Sequence, residues 1–198
     1  MSELISDEYK AQIRQVHEES EGRWGATASS RCYEIAEWVN GHIKRGAIDM
    51  LDYGSSNGKL QKQLRRRGLI PEDFEIVEYD PGYEDRLHKR ACDLVLCVDV
   101  LEHIEPDLLD NVLVDLNRNM IDVGYFSIAL YPARKILPDG RNAHLIVESE
   151  DWWVDRLKRY FHVDITHVRN KNGNATLDCS VRPIVLPTEE VNVHGKVS

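Results

Sequence analysis

Apolar positions along the chain alternate between two periods. In the segment Asp7–Glu19, Tyr9, Ile13 and Val16 recur at helical spacing, as do Ile35, Val39 and Ile43 over residues 30–45. A shorter amphipathic stretch covers Lys59–Arg67. A further helix is expected over Glu105–Asn119, with Pro106 in its first turn and Leu108, Leu109, Val112, Leu113 and Leu116 facing inward. Another begins after Ser149, a capping residue followed by Glu150 and Asp151 at the positive end of the helix. Between these helices lie short, nearly continuous apolar runs: Ile48–Tyr53, Phe74–Asp80, Asp93–Val98 and Gly124–Tyr131. Such runs suit the strands of a parallel sheet covered on both faces. The last two runs, Val163–Val168 and Thr176–Val181, flank Asn172-Gly173-Asn174, a hairpin signal. The pattern predicts an α/β, doubly wound, mostly parallel sheet that ends in an antiparallel hairpin.

The turn after the first strand carries the most chemical information. The strand and turn read IDMLDYGSSNG from Ile48 to Gly58, and the second strand ends in Asp80, twenty-two residues after Gly58. A strand, a glycine turn opening a helix and a carboxylate about 20 residues on is how doubly wound sheets hold a ribose-bearing cofactor. A dinucleotide fingerprint starting at Gly54 needs glycines at 56 and 59, where this chain has Ser56 and Lys59. A phosphate-binding P-loop needs four residues between its glycines and then Lys-Ser/Thr. Here three intervene, and Lys59 is followed by Leu60. Both nucleotide-phosphate readings fail.

The stretch Asp52-Tyr53-Gly54-Ser55-Ser56-Asn57-Gly58 resembles motif I of the class I S-adenosylmethionine (SAM) methyltransferases, with Ser56 in place of the middle glycine. Asp80, in VEYDPG, stands where that family binds the ribose, and DLVLCVDVLEHIEP (Asp93–Pro106) is similar to the family's fourth-strand motif. The resemblance spans roughly residues 48 to 182. It is most specific to small bacterial and phage members, through Trp24-Gly25, the YDP turn, VLEHIEP, and LPDGRNAHLI followed by Trp152-Trp153. It implies a Rossmann-like fold with SAM as cofactor. Asp52, Gly54, Ser55, Ser56 and Gly58 would form the turn around it, Asp80 would hold the ribose, Cys97 and Val98 would offer backbone, and Trp24 would act as a lid. Only twelve residues separate Asp80 from Asp93, where the family has a helix and its third strand. The sheet is therefore expected to be abbreviated between the family's second and fourth strands, with the adenine pocket built differently.

Three parts are expected: an N-terminal helical cap (1–46), the SAM-binding domain (47–183) and a flexible tail (184–198). The net charge of −9 argues against a nucleic-acid polymer as partner. The chain lacks an apolar run long enough for a membrane span, and the acidic, polar start is unlike a signal peptide. Cys32, Cys92, Cys97 and Cys179 form no CxxC pair and no zinc-like spacing with histidine, so a cytoplasmic protein without a metal is expected.

On the acceptor side, His144 lies on the long connection after the fifth strand of the family's count, an edge where function concentrates. It is the first candidate for a general base, and Asp99, at the end of the DLVLCV strand, is the second. Arg134 and Lys135 would bind an anionic acceptor or form an ordinary solvated face. Two tryptophans adjacent on a helix cannot both face the core centrally, so Trp152 would wall a pocket. For His103, in the Leu-Glu-His motif, the resemblance implies a structural or supporting role, with catalysis as the lesser alternative. The expected activity is methyl transfer to N or O of a small molecule, with a non-catalytic SAM-binding subunit or a SAM lyase as alternatives. The oligomeric state stays open.

Overall fold

The computed structural model describes residues 3–19, 27–171 and 173–187. Trp24 and Gly25, with Asn172 and the end of the expected tail, fall outside these residues. The elements run α1 (Asp7–Glu19), α2 (Thr27–Ser30), α3 (Cys32–Ile43), β1 (Asp49–Tyr53), α4 (Lys59–Arg66), β2 (Glu75–Tyr79), β3 (Cys92–Val98), α5 (Leu109–Arg118), β4 (Met120–Ala129), α6 (Glu150–Leu157), β5 (Phe161–Lys171) and β6 (Asn174–Pro183). One six-stranded sheet has the order β2-β1-β3-β4-β6-β5. The first four strands are parallel, and β6 runs antiparallel to both β4 and β5. This is the expected doubly wound sheet with a terminal antiparallel hairpin.

Strict alternation along β3 explains the two cores. Leu94, Leu96 and Val98 point to one face, where Ile35 and Val39 of α3 and Leu60 and Leu64 of α4 cover them. Val95 and Cys97 point to the other, beneath Val112 and Leu116 of α5 and Trp153 and Leu157 of α6. The segment between β2 and β3 holds a single 3₁₀ turn, Glu84–Arg86, and β2 is the sheet edge.

Some boundaries differ from those expected. The helix over residues 30–45 is interrupted at Arg31 (φ −101°, ψ 17°). Its guanidinium is buried and donates to Ser127 Oγ (2.7 Å) and Asp178 Oδ1 (3.2 Å), tying the start of α3 to β4 and β6. The helix expected from Glu105 begins as a 3₁₀ turn, Pro106–Leu108, before α5. β4 starts at Met120, four residues before the expected Gly124, because Met120 pairs with Cys92.

Helix α1 is anchored by its cap. Ser6 Oγ accepts from Tyr9 N–H (3.1 Å), while Ser6 donates N–H and O–H to Glu105 (2.8 and 2.7 Å). The apolar face, Tyr9, Ile13 and Val16, meets Leu137 and Ala143 from the connection after β4.

Candidate active site

The parallel strands leave their carboxyl ends on one side of the sheet, and a crevice of about 710 Å³ opens there. That is within the range of small-molecule sites, at the place where open α/β sheets bind ligands. Its floor is the turn after β1 (Gly54, Ser56) and the ends of β2 (Asp80) and β3 (Asp99, Val100). Tyr9, Ile13 and His17 of α1 line it from above. His103, His144, Tyr131, Arg134 and Lys135 form the far wall.

The turn after β1 is packed tightly. Gly54 has φ +82°, and a Cβ there would lie 2.3 Å from Val100 Cγ2, so only glycine fits. Ser56 holds φ +50°, the left-handed region that the family's glycine would enter without strain. The strain is held by Asp80: its Oδ2 accepts from Ser56 N–H and its Oδ1 from Gly82 N–H, both at 2.8 Å. Two backbone donors orient this buried carboxylate. Burial nevertheless raises its pKa, against the lowering effect of those two bonds. Asp99 is the second non-glycine residue at positive φ (+54°), and it also lines the crevice. Such conformations cluster at ligand sites.

Asp52 lies one layer deeper, beside a cavity of about 20 Å³ that Gly54, Ser55, Val98 and Asp99 also line. Its Oδ2 and the Ser55 hydroxyl are buried with no hydrogen-bond partner among the described residues. Burial, then the charges of Glu78 and Asp80, push the Asp52 pKa up to about 7. A buried acceptor with no donor is costly, and it fits a site completed by a cationic group. Gly58 lies elsewhere: its missing side chain makes room for the carboxylate of Glu78 (2.5 Å from a built Cβ) at the start of α4.

The connection after β4 is clasped by Asn142, whose side chain bonds both the N–H and C=O of Ala133 (2.9 and 2.8 Å) and the N–H of His144 (2.9 Å). His144 Nδ1 meets the carbonyl of Tyr131 at 2.5 Å. A carbonyl only accepts, so Nδ1 carries the proton and the lone pair of the neutral ring is on Nε2. His103 makes the same bond to Ala143 O (2.7 Å), and burial followed by the neighbouring His144 depresses its pKa to about 3. The two rings meet edge-on at 4.8 Å. Lys135 reaches Glu19 at the end of α1 (3.7 Å).

The expected residues thus divide. Gly54, Ser56, Asp80, Asp99, Arg134, Lys135 and His144 share one crevice, with Asp52, Ser55 and Val98 behind it. Cys97 is 1% exposed, with its side chain in the core under α5 and α6. Trp152 does not wall this crevice: Trp153 takes the core position, and Trp152 packs edge-on against it with Arg156 above its ring. Trp24 lies outside the described residues. Sequence reasoning missed the contribution of α1, whose apolar face predicted burial without saying against what.

No known family profile and no curated protein matches the chain. Solved structures do. One is a 1,6-didemethyltoxoflavin-N1-methyltransferase from Burkholderia thailandensis with 1,6-didemethyltoxoflavin and S-adenosylhomocysteine bound (TM-score 0.61, 17% identity, 92% of both chains). Another is magnesium protoporphyrin IX methyltransferase from Synechocystis PCC 6803 with SAM bound (TM-score 0.56, 11% identity, 91% of this chain and 100% of that one). A third is a DhpI complex with S-adenosylhomocysteine (TM-score 0.54, 16% identity, 92% and 98%). At these identities the likeness establishes the fold.

Proposed function

We propose that the protein is a SAM-dependent methyltransferase acting on N or O of a small molecule. The observation that carries this reading is the oriented, buried Asp80 carboxylate beside the Gly54–Ser56 turn and the unpartnered Asp52. The neighbours of the same fold that hold SAM or its demethylated product support it.

In this reading Asp80, already held by two N–H donors, keeps acceptor capacity for ribose hydroxyls. Gly54 lets the backbone approach the amino-acid portion, and Asp52 supplies the negative charge opposite its ammonium. SAM supplies a methyl group on a sulfonium that leaves as a neutral thioether, so the chain's task is alignment and exclusion of water. Tyr9 and Ile13 roof the crevice with apolar surface, and Arg134 and Lys135 favour an anionic acceptor. We place His144 against the acceptor, where its Nε2 lone pair can take up or polarise the nucleophile's proton.

The test is calorimetric titration with S-adenosylhomocysteine. The wild-type chain should bind it in the micromolar range, and Asp80→Ala should weaken binding by about 1–3 kcal/mol, the worth of charge-assisted hydrogen bonds. Folded protein that binds neither SAM nor its product at millimolar concentration sinks the proposal. Incubation with methyl-labelled SAM and a cell extract then reads the reaction class: label in an acceptor is transfer, and SAM fragments are lyase chemistry.

A further inference from the structure

Two side chains of the far wall, His103 and His144, lie close to the fully buried Glu102. Glu102, His103 and His144 each offer one ligand atom, and the three atoms lie within 4.8 Å of one another. Glu102 is fully buried, on the 3₁₀ turn Leu101–His103 that follows β3. Its Oε1 accepts from Ala129 N–H (2.9 Å), while its Oε2 is buried without a hydrogen-bond partner among the described residues. An isolated carboxylate oxygen in that setting is costly unless something completes it.

The histidines show the complementary feature. Both bond a backbone carbonyl through Nδ1, which fixes the tautomer and leaves the lone pair on Nε2. That is how protein side chains hold a histidine that ligates metal: the outer ring nitrogen donates to a carbonyl or carboxylate, and the inner one coordinates. Both rings line the crevice.

We infer that Glu102, His103 and His144 form a binding site for a divalent first-row transition ion at the wall of the crevice. Two imidazoles and one carboxylate suit zinc, cobalt, manganese or iron, and leave coordination positions open. Ligand atoms about 2.1 Å from an ion stand about 3.4 Å apart, so binding needs the cluster to contract by about 1.4 Å. With the His144 backbone held by Asn142 and its Nδ1 by Tyr131 O, that contraction would fall to side-chain rotation of the three ligands. The open positions would face the same space as Arg134 and Lys135, and suit an oxygen donor on an anionic ligand. With an ion in place, Nε2 of His144 is a ligand, and the ion takes over the polarisation assigned to that lone pair above. This last role rests on the methyl-transfer reading; the site itself does not.

The test uses the whole chain, stripped with a chelator and titrated with cobalt(II), read by its visible absorption. One equivalent should bind. Glu102→Gln, which keeps an acceptor for Ala129, and His144→Ala should each weaken binding more than about 100-fold, beyond the 10–100-fold that losing an outer hydrogen-bond partner brings. S-adenosylhomocysteine titrations on the same samples report folding and test the cofactor reading separately. If that ligand fails to bind while cobalt binds, the methyl-transfer reading falls and the metal site stands. X-ray absorption of the wild-type zinc form, which needs no variant, should show two imidazole ligands. Failure to bind cobalt at millimolar concentration, unchanged affinity in both variants, or a zinc shell without imidazole would each overturn the inference.

Discussion

Asp52 shows how the site is held in tension by single residues. Its folded pKa, about 7, stands above the ordinary value of 3.8, because burial and two neighbouring carboxylates disfavour the charge. A raised acid favours the folded state fully below the unfolded pKa, and that contribution is lost as pH rises through 7. The span corresponds to about 4 kcal/mol. Wild-type melting temperature should therefore fall from pH 5 to pH 8 relative to Asp52→Asn, which carries no such titration. Equal pH profiles for the two proteins would contradict this account. The same carboxyl should give up a proton when a cationic ligand arrives. At pH 6 the binding enthalpy of S-adenosylhomocysteine should then vary with the ionisation enthalpy of the buffer, and should cease to do so in Asp52→Asn.

Among elements, α1 joins sequence, packing and access to the crevice. Its apolar face, Tyr9, Ile13 and Val16, is buried with Leu137 and Ala143 in a small cluster, flanked by Ile5, Ala133 and Leu145, apart from the two cores on the sheet. Its opening should therefore cost less than global unfolding. Amide exchange over residues 9–17 should be faster than over α3 in the unliganded protein, and should slow on adding S-adenosylhomocysteine. Exchange that is insensitive to the ligand would remove α1 from the site. The contrast with β1 explains what the sequence reveals. Asp52, Gly54, Ser56 and Asp80 were legible because a strand, its turn and the next strand are local, and their residue types answer to backbone conformation and charge. Glu102 and His103 meet His144 across some forty residues of chain, through a loop clasped by Asn142, and no local period records that meeting. Trp152 misled for a related reason: adjacency on a helix says that one ring leaves the core, not what it then touches.

At the scale of the whole molecule, the short link between β2 and β3 leaves β2 as an edge, and the chain guards it with charge. Arg86 pairs with Glu78 (3.4 Å), Arg90 with Glu75 (2.7 Å), and the Lys89 ammonium sits 3.7 Å over the ring of Tyr79. Charged side chains along an edge discourage pairing with another chain. The opposite flank has no such guard until the hairpin arrives. β4 pairs with β6 from Gly124–Val181 to Ala129–Thr176, and β6 covers the edge of an otherwise apolar strand. A chain truncated at residue 160 should accumulate as aggregate on expression, and a soluble, cooperatively melting product would refute this. The pairing also sets a schedule for the growing polypeptide. On the ribosome, β1 to β4 emerge with a bare flank, and its partner follows some fifty residues later. At about 5–20 residues per second, that flank waits seconds in the company of every other nascent chain. Until β6 arrives, the backbone N–H and C=O groups along Gly124 to Ala129 stand unpaired on that side, open to any other strand that meets them.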